Sequence, residues 1–84
     1  MWTNVQFTGT LGPGASGLWY TFGWPVSWQT VWYMMPTTPL PGAPEVGWSV
    51  EVERSDPTSC TYWITVHNLT SQSMDFEARY AVLG

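Results

Sequence analysis

There is no lysine anywhere in this chain of 84 residues, and arginine occurs only twice, as Arg54 and Arg79. Charged residues make up 10% of the sequence, where an ordinary soluble domain carries about a quarter. The formal net charge is −4. Displacing counterions from nucleic-acid phosphates takes several Lys or Arg side chains, so nucleic-acid binding is excluded. An anionic membrane surface is disfavoured on the same ground. Cys60 is the sole cysteine, which rules out an internal disulfide and leaves only an intermolecular bridge open. No apolar run approaches the roughly eighteen residues that a membrane helix needs. The opening Met1-Trp2-Thr3-Asn4 has neither a basic n-region nor an apolar h-region. The expectation is a soluble protein, cytoplasmic or the mature form of a secreted one. Helical periodicity with caps is missing throughout.

Alternation is what the chain has instead. Val46, Trp48, Val50 and Val52 alternate with Gly47, Ser49, Glu51 and Glu53, the pattern of a half-buried strand. A turn at Ser55-Asp56-Pro57-Thr58 follows. Tyr62, Ile64 and Val66 then oppose Thr61, Trp63, Thr65 and His67. After a loop over 68–73, Met74, Phe76, Ala78, Tyr80 and Val82 oppose Asp75, Glu77, Arg79 and Ala81. Residues 46–83 therefore read as three consecutive antiparallel strands.

The first half has the same character. Thr3, Val5 and Phe7 alternate with Asn4, Gln6 and Thr8, and residues 9–17 form a Gly- and Pro-rich loop. Two aromatic strands over 18–24 and 26–35 are separated at Trp24-Pro25, since proline lacks an N–H for the ladder. Four prolines in 36–44 make an extended loop. The architecture predicted is all-β: one small antiparallel β-sandwich domain of about six strands with Greek-key connections, or a compact barrel.

Motifs that resemble catalytic signatures lose their force in context. Gly12-Pro13-Gly14-Ala15-Ser16-Gly17 spells GxGxxG, but a dinucleotide site needs a helix to follow, and Leu18-Trp19-Tyr20 continues as strand. It reads as a hairpin loop. Cys60 and His67 are a conceivable nucleophile pair, yet they differ in parity along one strand and face opposite ways unless a bulge intervenes. One His and one Cys supply no metal-ligand cluster. Glu51 and Glu53 share a face, but it is the polar face of a clean alternation, where a carboxylate pair serves solubility or pairs across strands. Arg79 has Asp75 and Glu77 as neighbours for its charge. Asn68-Leu69-Thr70 has the form of a glycosylation acceptor, with a turn role for Asn68 the better expectation. The expectation is a protein without catalytic residues, cofactor or metal.

The aromatic surplus carries the functional argument. Seven Trp, four Tyr and three Phe, each able to cover about 150–250 Å², exceed what a two-layer domain of this size hides. Trp63 lies on the side of its strand opposite Tyr62, Ile64 and Val66. In residues 18–35 nearly every position is apolar or small, so a one-residue bulge would exchange the faces; the pattern taken at face value puts Trp19 opposite Leu18, Tyr20 and Phe22, on the outside. Indole faces stack on pyranose rings, and Asn, Gln or His side chains bond the hydroxyls. The candidate ligand-binding residues are Trp63, Trp19, His67, Gln29 and Trp28, with Gln6 and Asn4 as further hydrogen-bonding groups. The expectation is a lectin-like glycan-binding module that forms a homo-oligomer. An assembly subunit whose function is self-association is the main alternative, followed by an aromatic module at a membrane interface.

Overall fold

A computed structural model describes residues 1–84. It contains six strands and no helix: β1 (Trp2–Leu11), β2 (Ser16–Pro25), β3 (Gln29–Pro36), β4 (Val46–Arg54), β5 (Ser59–Asn68) and β6 (Met74–Leu83). They form two antiparallel three-stranded sheets, ordered β1-β6-β3 and β2-β5-β4. The sandwich is as anticipated, and no closed barrel forms. The accessible surface, 5037 Å², matches the roughly 5,050 Å² expected for a 9.5 kDa monomer. Area is therefore ordinary, and what distinguishes this surface is its chemistry.

Only β4 and β5 pair as sequence neighbours; the other four connections cross between sheets. This corrects the expectation of a three-strand meander over 46–83, because β6 leaves β5 and inserts between β1 and β3. It also corrects the hairpin expected at 12–17, since β1 and β2 belong to different sheets. The resulting path is an antiparallel ribbon, β1 against β6 and β2 against β5, folded over on itself in the manner of a jelly roll.

The inward faces supply the core. Ile64 and Val66 of β5 and Met74, Phe76 and Ala78 of β6 are fully buried, as expected of the central strand of each sheet. At one end, Trp24 stands edge-on to Trp32, Tyr62 and Tyr80 with ring centroids 5.3, 5.9 and 4.9 Å away. Edge-to-face contacts of this kind add about 0.5–1.5 kcal/mol each beyond area burial. Its indole N–H donates to Thr21 Oγ1 at 2.8 Å, so the polar edge of the ring is satisfied inside the core.

Two bulges place the side chains of the β1 and β2 edges. On β2, Thr21 stands opposite Tyr62 and Trp24 opposite Cys60, so Phe22 and Gly23 fill the span that Thr61 alone fills on β5. Gly23 has φ +79°, a left-handed conformation that glycine adopts without the Cβ penalty. The extra residue turns Trp24 inward while Leu18, Tyr20 and Phe22 face solvent. On β1 the register shifts between Val5 and Phe7. Phe7 consequently packs against the core while Val5 is exposed.

The far end is closed by one side chain. Asn68 is 2% exposed; its Nδ2 donates to the carbonyl oxygens of Leu11, Gly12 and Gln72 at 3.0, 2.9 and 2.7 Å. Its Oδ1 accepts from the amide and hydroxyl of Thr70. One amide thus joins the β1–β2 and β5–β6 crossings. Engaged and buried in this way, it is closed to glycosylation in the folded state. At the β4–β5 turn, the Asp56 carboxylate accepts from the hydroxyl of Ser59 and from the amides of Thr58 and Ser59. These bonds hold its pKa down from 3.8 to about 2.

Asn68→Asp aims a carboxylate at three carbonyl oxygens and is expected to cost about 3 kcal/mol or more, with Asn68→Ala somewhat less, because buried partners are left unsatisfied. Urea unfolding measures both, and a loss under about 1 kcal/mol would show that the clasp matters little. The Asp56 bonds favour the ionised form, so their contribution is complete above pH 3.8 and is lost as the pH falls toward 2. An NMR titration of the Asp56 carboxyl carbon should give a midpoint near 2; an ordinary midpoint would mean that the turn does not hold the carboxylate.

Candidate functional site

The edges of β1 and β2 lie over one another without pairing, and a cleft runs along that seam. Its first lobe, about 370 Å³, is lined by Gln6, Phe7, Trp19, Tyr20, Thr21 and Phe22. A second lobe of about 240 Å³ continues from Gln6, Thr21 and Phe22 to Trp24, Trp28 and Tyr80. No charged residue lines either lobe. At the junction, Gln6 Nε2 donates to Thr21 Oγ1 at 3.3 Å, one of the four hydrogen bonds that an amide can make.

Each wall has a local cause. Trp19 stacks on Phe7, with centroids 5.7 Å apart, and meets the edge of Phe76. Glycines clear its place: a Cβ on Gly17 would lie 2.6 Å from the indole, and one on Gly9 2.8 Å from Phe76. Tyr20 and Phe22, 60% and 74% exposed, stand on the solvent side of β2 because of the Gly23 bulge. Trp28 closes the far end, edge-on to both Trp2 and Trp24.

The residues singled out from the sequence are dispersed. Trp19 and Trp28 line the cleft, at its two ends. The outward face expected of Trp19 is corrected: it points between the sheets, half-buried against the core, because the bulge reverses the faces read across residues 18–24. Trp63 is on the outer face of the β2-β5-β4 sheet as anticipated. Its ring leans on Tyr20, with centroids 5.0 Å apart and planes at 32°, and its N–H donates to Glu53 Oε1 at 2.8 Å. His67 shares that face, its Nδ1 hydrogen-bonded to Ser16 Oγ at 2.6 Å. Gln29 is remote, exposed at the start of β3 opposite Leu83.

Alternation alone puts Tyr20 and Phe22 on the wrong side. Gly23, just before Trp24-Pro25, is the signal that bears on it, since a glycine within a strand pattern marks a bulge. Cys60 is buried and sits on the inward side of an unbroken β5, whereas His67 faces outward, so the two cannot meet. Glu51 and Glu53 are both exposed on the outer face of β4. Searches against protein-family models, curated proteins and solved structures return no match to this chain.

Proposed function

We propose that the protein is a non-catalytic, lectin-like module that holds an uncharged glycan along the cleft between β1 and β2. The observation that carries this is the lining itself. Aromatic rings run from Trp19 to Trp28 around a central amide, and the walls bear no charge. Sugars offer both an apolar ring face and a rim of hydroxyls, and such a lining answers each. The seven residues of β2 from Trp19 to Pro25 span about 20 Å, which favours several units of an extended chain over a single sugar. A glycan in the cleft would also reach its rim at Tyr20 and Phe22, whose exposed rings stand on the solvent side of β2.

A second function has its own support, on the opposite sheet. The outer face of β1-β6-β3 presents Val5, Val31, Tyr33, Met35 and Leu83, all exposed. They surround an Arg79–Glu77 ion pair of 2.8 Å. Two copies related by a twofold axis can match this apolar ring while exchanging the Arg79 and Glu77 partners. Self-association through that face would make the glycan sites multivalent, raising avidity without new contacts.

Tryptophan fluorescence titrated against a panel of neutral oligosaccharides is expected to respond. Phe22→Ala and Tyr20→Ala should each weaken binding about tenfold or more while leaving the fold intact, since both rings are exposed; tenfold corresponds to about 1.4 kcal/mol. Gln29→Ala should have no effect, and a panel with no response would end the proposal. Light scattering tests the second: a dimer mass that Val31→Glu returns to 9.5 kDa supports association through this face, and a monomer at all concentrations rules it out.

A further inference from the structure

Two sheet edges keep an unbroken register, β3 against β6 and β4 against β5, and of these only β4 carries carboxylates. Its register against β5 is unbroken over nine residues, Val46 to Arg54, whereas β1 and β2 carry bulges that spoil their edges for pairing. Its two sides are unlike each other. The inward positions Trp48 and Val52 are 39% and 62% exposed, although their β5 partners Val66 and Tyr62 are buried. On the outward side stand Glu51 and Glu53, neither of them in an ion pair: Arg54 donates to the Pro57 carbonyl at the turn, Arg79 is engaged by Glu77 and Tyr33 on the other sheet, and Glu53 accepts only from the Trp63 indole.

We infer that this edge accepts an added strand from a partner protein, an extended segment whose residues alternate between basic and apolar. Main-chain bonds to an edge strand supply affinity, and alternate side chains supply specificity. On one side of the added strand, Lys or Arg would lie beside Glu51 and Glu53. On the other, apolar side chains would cover Trp48 and Val52 and extend the core by one strand. A second copy of this chain is the wrong occupant. Edge carboxylates repel a like edge, and no strand of this protein is basic, with no lysine and two arginines in all. The same carboxylates that prevent self-pairing thus select a cationic partner. This inference is independent of the glycan cleft, which lies at the opposite edge of the sandwich.

Three synthetic peptides test it, alternating valine with lysine, with serine and with glutamate. Readouts are Trp fluorescence and the exchange of β4 backbone amides by NMR. The lysine peptide is expected to bind about tenfold or more tightly than the serine peptide at low salt and to slow exchange along β4. That preference should shrink as salt screens the charges. Glu51→Gln with Glu53→Gln keeps an acceptor for the Trp63 N–H and should abolish the preference; Glu51→Lys with Glu53→Lys should transfer it to the glutamate peptide. Equal binding of all three peptides, or no protection of β4 by the lysine peptide, overturns the inference.

Discussion

A single backbone irregularity in β2 governs where the aromatic side chains go. Strand side chains alternate with a period of two, so an extra residue at Phe22-Gly23 inverts every assignment beyond it. Upstream, Tyr20 and Phe22 face solvent; downstream, Trp24 enters the core and becomes the hub for Trp32, Tyr62 and Tyr80. A regular β2 would have to choose. Either Trp24 would leave the core, or Tyr20 and Phe22 would be driven into it and Trp19 turned out to solvent. Gly23 at φ +79° lets one strand serve a packed interior and an open cleft within a few residues. The Thr21 hydroxyl fixes the junction, accepting from Trp24 on one side and Gln6 on the other.

The rings of this chain thus fall into three groups with different physical roles. One group fills the interior, where edge-to-face packing around Trp24 substitutes for the aliphatic bulk of a larger core. A second lines the seam between β1 and β2. A third stands on the outer faces, with Trp63 held by Glu53 and Tyr33 beside Arg79. Because so few side chains carry charge, polar specificity rests on isolated groups such as Gln6, Asn68 and Asp56.

Much of the fold was legible in the sequence because β4, β5 and β6 alternate cleanly. Ile64, Val66, Phe76 and Ala78 are buried where the pattern placed them. Pairing was not legible in the same way. Alternation says which face of a strand is apolar but not which strand lies beside it, so β6 was assigned to β5 when it belongs between β1 and β3. The cleft was half legible: Trp19, Trp28 and Gln6 were singled out, yet Trp19 was turned outward and Tyr20 and Phe22 inward. Where nearly every residue is apolar, as from Leu18 to Met35, the pattern holds no phase. Asn68 shows the opposite case, a turn residue recognised by type whose reach to Leu11 and Gln72 only three dimensions reveal.

The place of β6 at the centre of its sheet has a consequence for synthesis. Both β1 and β3 take their hydrogen bonds from β6, which is made after both of them. Until residues 74–83 are made, β1 and β3 have no sheet partner within the chain, and their edges are open. The sheet cannot zip up from the N-terminus as a meander does, because β6 must enter between two strands that precede it in the chain.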